Sequence, residues 1–200
     1  MMGIVRRLPI VATIVVLLAV GVMVRLGVWQ LDRLHEKDAL VERYRKAASI
    51  DAVVAWPSDV ETAESNLYRR SRLECRSVLS TTSMAGKNRD GASGLAHVAS
   101  CGTAGGAQVN VVLGWSLDPS PVTWAGGEVQ GIIAPGGSAG PRLIADPPLA
   151  GLEANALPDP SDIPNNHLSY AIQWFFFAAT ALVIYALAVR KRVAEARGAG

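Results

Sequence analysis

The sequence predicts an α+β membrane protein in which two transmembrane helices flank a small antiparallel β-barrel or sandwich-like outer domain. Two apolar runs, one near each end of the chain, are each long enough to cross a bilayer as a helix. The chain between them is long enough for one compact domain. Its β-branched segments alternate with connections rich in glycine and proline, which is typical of short strands.

The first apolar run predicts transmembrane helix 1 over residues 8–28. Only Thr13 and, near the outer end, Arg25 interrupt this run. A cleaved signal peptide is the alternative interpretation, but its apolar core spans only roughly 7–15 residues and is followed by a small-residue cleavage site. The run is longer and no such site follows it, so we expect a retained anchor.

The second apolar run predicts transmembrane helix 2 over residues 168–189. Its polar residues, Ser169 and Gln173, are confined to the first turns. The string that leads into it, residues 165–167, is Asn-Asn-His and follows a proline. An imidazole at the boundary between water and bilayer is a pH-sensitive group that can ligate a metal.

Basic residues flank both runs on the side away from the central segment. They are Arg6, Arg7, Arg190, Lys191, Arg192 and Arg197. The positive-inside rule therefore places residues 1–7 and 190–200 in the cytoplasm and residues 29–167 in the periplasm. Because only a few residues precede the first run, we expect the bacterial plasma (inner) membrane rather than an organelle, with the chain as a multi-pass protein.

The charge balance excludes nucleic acid as an expected partner. Residues 31–166 carry 12 lysines and arginines against 16 acidic residues, a balance of −4, whereas the whole chain has a formal charge of +2. The positive charge therefore comes from the short ends, and no nucleic-acid-binding motif occurs. The expected contact of these ends is the lipid bilayer.

An amphipathic, charged pattern follows the first run and predicts that its helix continues into the aqueous side. Apolar residues recur near helical spacing, and Glu42 and Lys46 form an i,i+4 pair. Trp56-Pro57-Ser58-Asp59 then indicates a break followed by the cap of a short helix. The apolar positions of the extension are Leu31, Leu34, Val41, Tyr44 and Ala48.

Four strands are predicted beyond this helix, over residues 68–79, 94–101, 108–115 and 128–134. Turn signals rich in glycine, asparagine and proline separate them. Short strands at this spacing favour an antiparallel sheet that curls into a barrel or sandwich. The segment 134–164 has little periodicity and is predicted to be an ordered loop.

The two cysteines are candidates for a disulfide. If the first two strands form a hairpin about a turn near Asn88, Cys75 and Cys101 lie opposite one another. Opposed Cβ atoms meet the geometric requirement of a disulfide, and the periplasm is oxidising. Free buried thiols and a metal-binding role remain the alternatives.

Catalytic signatures are absent from the sequence. It has no His-Glu-x-x-His motif, no P-loop and no Gly-x-Ser-x-Gly motif, and the chain is not expected to be an enzyme. Only His35, His97 and His167 are present. We expect His35 to be solvated on the charged helix and His97 to be half-buried in a strand. His167, at the boundary of the second apolar run, is either a structural residue or a ligand.

The boundary motifs identify a resemblance to the surfeit locus protein 1 family of cytochrome c oxidase assembly factors. Residues 26–37 resemble the family's Leu-Gly-x-Trp-Gln-Leu-x-Arg-Leu-x-x-Lys pattern at the exit of the first span. Residues 165–175 resemble its Asn-Asn-His-Leu-x-Tyr-Ala-x-x-Trp-Phe pattern at the entry to the second. Strand segments between them, such as the Gly-Trp end of residues 111–115, are also similar.

The resemblance implies a role in building haem-copper cytochrome c oxidase, by binding haem a or delivering it to the catalytic subunit. The implied partners are that subunit and the haem a synthesis machinery, and the implied haem-iron ligand is His167. The alternative is a structural membrane scaffold that holds oxidase subunits together without binding haem.

The residues near His167 permit a haem site. At 100° per residue, His167 and four residues that follow it fall within about 60° of one line along the helix, a surface that could seat a flat macrocycle. An aromatic belt with a small-residue helix contact is the alternative. Arg25 could neutralise a propionate or could snorkel. The candidate site residues are His167, Tyr170, Ala171, Trp174 and Ala178 on one helix, and Arg25, Trp29 and Gln30 on the other.

The predicted topology can be tested with alkaline phosphatase, which is active only after export. Fused after Gly200, the reporter should be inactive because the positive-inside rule places that end in the cytoplasm. Fused after Ile163, behind the first span alone, it should be active. Activity of the Gly200 fusion would contradict the two-span topology.

Overall fold

The computed structural model describes residues 9–198. The chain divides into a helical unit, made of the residues up to Leu40 and from Pro164 onward, and an outer unit, Val41–Ile163. The predicted cytoplasmic segment 1–7, with Arg6 and Arg7, and the first residue of predicted helix 1 lie outside the described residues. The assignment of each segment to one side of a membrane stays a prediction.

Two long helices carry the apolar runs. Helix α1 spans Ile10–Ala48, and helix α3 spans His167–Gly198. Each is long and apolar enough to cross a membrane, and only 6% of the most apolar stretch of each is buried within the protein. A core helix of a soluble protein would bury its apolar residues, so these helices expose the surface that a bilayer requires. The predicted continuation of the first helix beyond Gln30 is confirmed.

Within the outer unit, a short helix precedes the sheet, and Tyr44 packs against Tyr68. Helix α2, Val60–Ser65, begins after Asp59, whose carboxylate accepts a hydrogen bond from the Thr62 amide at 2.7 Å. That bond favours the ionised carboxylate and lowers the pKa of Asp59. The predicted break and cap are therefore confirmed. The ring of Tyr44 lies 4.8 Å from that of Tyr68, and burial raises the pKa of Tyr68.

Seven strands form one mixed sheet. In the order in which they lie side by side, they are β1, β2, β6, β7, β5, β4 and β3. Their bounds are β1 Val54–Ala55, β2 Arg70–Cys75, β3 Ser77–Lys87, β4 Ser93–Gly102, β5 Gln108–Ser116, β6 Gly127–Ala134 and β7 Arg142–Ala145. The core on one face of the sheet is made of small and branched side chains, including the fully buried Val111, Leu113, Val129 and Leu143.

Three features of the predicted sheet need correction. The sheet is not purely antiparallel, because β1 pairs with β2 and β5 pairs with β7 in parallel. It is not a closed barrel, because β1 and β3 lie at its edges, so the predicted barrel or sandwich is not confirmed. The predicted loop 134–164 contains strand β7. The last three residues of β7 are all buried, so the strand lacks the alternation of apolar and polar residues by which a half-buried strand is recognised.

The predicted strand 68–79 is two strands. Strand β2 pairs with β6, and after the single residue Arg76 the chain continues as β3, which pairs with β4. The predicted hairpin between β3 and β4 is present, with Lys87 opposite Ser93. Strand β3 extends eight residues beyond its predicted end at Leu79.

Cys75 and Cys101 are joined by a disulfide, with their Cα atoms 5.3 Å apart. The reason that the sequence analysis offered for the pairing was wrong. Cys101 lies opposite Val78 in the ladder, and Cys75 lies opposite Gly127 on β6. The disulfide therefore links β2 to β4, two strands that are not neighbours in the sheet, at the point where the chain turns from one pairing partner to another.

Removal of this disulfide should destabilise the outer unit. The bond closes a loop with a sequence separation of 26, for which the chain-entropy model gives about 3.5 kcal/mol. We expect the Cys75→Ala, Cys101→Ala double variant to unfold at lower denaturant concentration than the wild type, as followed by tryptophan fluorescence. Reductant should lower the midpoint of the wild type alone. An unchanged wild-type midpoint under reductant would contradict a stabilising bond.

Candidate functional site

The helical unit is an antiparallel pair of helices in contact along one stripe of each. On α3 the least exposed residues recur at spacings of three or four, the pattern by which one helix face meets a partner. Contacts run from one end of the pair to the other. They join Asp38 to Asn165, Gln30 to His167, Gly27 to Phe175, and Thr13 to Tyr185. The stripe on α3 comprises His167, Ala171, Trp174, Ala178, Ala181, Tyr185 and Val189.

A hydrogen bond between the side chains of His167 and Gln30 joins the two helices at the boundary of the apolar runs. His167 Nδ1 lies 2.7 Å from Gln30 Oε1. An amide oxygen has no hydrogen, so the imidazole Nδ1–H is the donor. The neutral ring then carries its lone pair on Nε2. This is the arrangement of a metal-ligating histidine whose other nitrogen is oriented by a carbonyl group.

The close approach of the helices depends on Gly27, one turn from Gln30. Gly27 is buried, and a Cβ atom built on it would lie 2.7 Å from the ring of Phe175. Ala171 and Ala178 are buried on the opposite helix. Small residues at these positions let the backbones approach, as is usual for helix pairs in membranes. Ala171 and Ala178 lie on the face predicted for them, whereas the contact of Phe175 with Gly27 was not predicted.

A second polar pair, which was not predicted, lies on the side of His167 away from the apolar runs. Asn165 Nδ2 donates to Asp38 Oδ1 at 2.9 Å. The Oδ1 atom of Asn165 is buried and has no hydrogen-bond partner within residues 9–198. The spacing of the residues could have revealed this pair. Asp38 follows Gln30 by eight residues, which is about two turns of helix, so the two side chains lie on nearly the same face of α1.

The predicted aromatic residues divide between the stripe and its flank. Trp174 is half-buried on the stripe and meets Phe177 edge to face, with ring centroids 6.2 Å apart. Tyr170 is 50% exposed on the flank of the same helix. Trp29 is 41% exposed, and the guanidinium of Arg33 lies 5.7 Å from its ring centroid. Trp174 thus shares the face of His167, whereas Trp29 is occupied by a cation of its own helix.

The structure does not bring Arg25 to the His167–Gln30 pair. Five residues separate Arg25 from Gln30, which turns its side chain about 140° around the helix axis from that of Gln30. Arg25 is accordingly exposed, while Gln30 is half-buried. A guanidinium at this position can snorkel toward the bilayer surface, the alternative that the sequence analysis left open.

The other two histidines are not comparable ligands. His97 is only 2% exposed on β4, and its ring nitrogens lie 3.1 Å from Ser83 Oγ and 2.9 Å from Ser116 Oγ. Both nitrogens are therefore occupied within the sheet. His35 is exposed on α1, as predicted. His97 is more fully buried than the sequence analysis expected, because it points to the core face of β4.

The helix pair offers a metal one protein ligand. Within residues 9–198, no group of three or more His, Cys, Asp or Glu side chains could hold a metal ion. A bare metal centre, which needs several such ligands, does not fit this part of the chain. Haem fits better, because the macrocycle supplies four nitrogen ligands and the protein needs to supply only an axial one. The Nε2 atom of His167 meets that requirement.

Fold and site together define a class of protein. It is a membrane protein with two apolar helices and a mixed β-sheet domain, and a histidine of one helix is oriented by a side chain of the other. A family model, the SURF1 family, matches residues 17–179 of the 200. The chain belongs to this family, a family of cytochrome oxidase assembly factors, and the resemblance to the surfeit locus protein 1 family is confirmed. A comparison with curated proteins found none that matches the chain.

The contact at Gly27 can be tested against a matched glycine on the same helix. Both Gly27→Ala and Gly21→Ala gain helix propensity, but only Gly27→Ala should displace the Phe175 ring, because nothing lies within 4 Å of the Cβ position at Gly21. The Gly27→Ala helix pair should therefore be about 1 kcal/mol less stable than the Gly21→Ala pair. Thermal unfolding in detergent, followed by circular dichroism, measures both. Equal midpoints for the two variants would contradict the contact.

Proposed function

We propose that this protein assists the assembly of haem-copper cytochrome c oxidase and that His167 binds haem a for delivery to the catalytic subunit. The family supports the first part of the proposal. The second part is supported by one observation, the 2.7 Å hydrogen bond from His167 Nδ1 to Gln30. Haem, when bound, supplies the redox-active iron that the oxidase requires.

The proposed roles follow from the contacts of each side chain. His167 would bind the haem iron through Nε2, and Gln30 would hold the ring in the tautomer that leaves this atom unprotonated. Trp174 and Ala171 lie on the same face and provide the apolar surface next to the ligand. A single protein ligand would suit a carrier, because haem held by one protein side chain would be released more readily than haem held by two. Arg25 has no part in this proposal, since it lies on another face of α1.

The membrane setting is part of the same proposal. The two apolar helices and the family fit a membrane protein. We place it in the bacterial plasma membrane with the outer unit in the periplasm, where the positive-inside rule puts it. Its proposed partners are the oxidase catalytic subunit and the machinery that makes haem a. The role is one of binding, without catalytic turnover.

A scaffold that holds oxidase subunits without binding haem is the second candidate function. The same hydrogen bond favours it, because the Gln30–His167 pair joins two helices whether or not haem is present. Hydrogen bonds between helices in a membrane contribute about 1 kcal/mol. Under this interpretation, His167 stabilises the helix pair and its Nε2 atom has no ligand.

Two substitutions at His167 separate these functions. His167→Gln retains an amide that can donate to Gln30 but removes the imidazole, whereas His167→Ala removes both the ligand and the interhelical bond. If His167 ligates haem, both variants should insert normally but lose most of the Soret absorbance per protein when purified from cells that make haem a. His35→Ala, at an exposed position on α1, is the control and should keep the wild-type absorbance.

The outcomes distinguish ligand from structural contact. Wild-type haem content in His167→Gln would refute the ligand assignment and support the scaffold. Gln30→Leu keeps the ligand and removes its orienting acceptor, so it should weaken haem binding by about tenfold, as loss of a hydrogen bond to a ligand usually does. Oxidase activity in the same cells should fall with haem content under the carrier hypothesis.

A further inference from the structure

Strand β3 leaves one edge of the sheet open over most of its length. It has 11 residues and pairs with β4 on one side only. Among the described residues, the backbone bonds to β3 outside that pairing include one at its end, from the Ala156 amide to the Lys87 carbonyl, and none within residues 78–86. Alternate residues of this stretch therefore present N–H and C=O groups to the outside.

The features that usually protect an edge strand are missing from the centre of β3. Residues 80–86 read Ser-Thr-Thr-Ser-Met-Ala-Gly, without charge or proline, and pair with β4 in continuous register. Natural proteins normally place charges, prolines, bulges or a covering segment on such an edge. The opposite edge is protected by its shortness, since β1 has two residues and is followed by Trp56 and Pro57.

Exposed apolar side chains are concentrated on the same strand. Leu79 is 58% exposed and Met84 is 42% exposed. No other strand of the described sheet has a large apolar side chain exposed to this extent. The surface of β3 thus combines unpaired backbone groups with apolar area. Water can form hydrogen bonds with the backbone groups, but exposure of the apolar area to water is unfavourable.

A cavity adjoins the open edge. It has a volume of about 280 Å³ and lies beside Thr81, Ser83 and His97. The segment that faces them contains Pro119, Pro121 and Val122. An extended chain laid along β3 would place every second side chain on this face. The volume is sufficient for one large side chain.

We propose that β3 is a docking edge, at which an extended, uncharged segment of a partner polypeptide adds to the sheet as a further strand. The unpaired groups of residues 80–86 repeat with the period of a β-strand, so only another extended backbone can match them. The absence of charge on those residues favours a segment that is itself uncharged. The proposal rests on the proposed function, which makes the partner a subunit of the oxidase.

Hydrogen–deuterium exchange on the full chain in detergent, with and without the purified oxidase catalytic subunit, tests this proposal. Amides of residues 80–86 should exchange more slowly in the complex, because the added strand pairs the outward groups. Residues 137–139, an exposed 3-10 turn, serve as the internal control and should not change.

Proline at two neighbouring positions provides the matched variants. Thr81 and Thr82 are both exposed, and successive residues of a strand direct their N–H groups to opposite sides. One proline therefore removes a bond to β4 and lowers the unfolding midpoint, while the other removes only an outward N–H. The variant with the wild-type midpoint should bind the catalytic subunit about tenfold more weakly, which corresponds to the loss of about one buried hydrogen bond.

Each alternative result contradicts a different part of the proposal. A complex without protection of residues 80–86 would overturn the docking edge and leave the assembly function intact. Failure of the catalytic subunit to form any complex would contradict the proposed function, and the docking edge with it. Protection that grows with concentration of the chain alone would identify a second copy as the occupant and overturn the proposal for a partner.

Discussion

The hydrogen bond between His167 and Gln30 is the contact on which the helical unit depends. It joins side chains that are 137 residues apart in sequence, at the height where both helices leave their apolar runs. Both side chains are half-buried there, and the bond gives each of them a protein partner. The bond also determines which nitrogen of the imidazole carries the proton. One interaction therefore fixes the two helices relative to each other at this height and leaves the Nε2 atom of His167 outside the bond.

The outer unit follows a different constraint, which is the change of partner between β2 and β3. Six residues pair with β6, and after Arg76 the chain pairs with β4 instead. The disulfide from Cys75 to Cys101 lies at this change of partner and links β2 to β4. The Cα atoms of the two cysteines are 5.3 Å apart. Because β3 diverges from β2 there, its outer side acquires no neighbour within the described sheet, which leaves the open edge.

Much of this arrangement could be predicted from local patterns. The apolar runs and the helical extension beyond Gln30 are periodic over many residues, and the Asp59 cap has a specific chemical signature. Strands β4, β5 and β6 were placed within a residue or so of their ends, because glycine-rich turns separate them. The boundary motifs placed Gln30 and His167 in one candidate site. Their hydrogen bond could not be predicted, since the rotation of one helix against the other depends on packing at Gly27, Ala171 and Ala178.

The sequence by itself determined the two apolar helices, the presence of a β domain between them and the family, because these depend on composition, periodicity and contiguous motifs. Tertiary structure alone decided the parallel pairing of β7, the strands that the disulfide links and whether Arg25 lies on the face that meets the other helix. Parallel pairing brings together segments that have no turn in common, and a four-residue buried strand has no alternation to reveal it. The direction of a side chain on a helix is calculable, but the side on which the partner lies is a property of the packed pair.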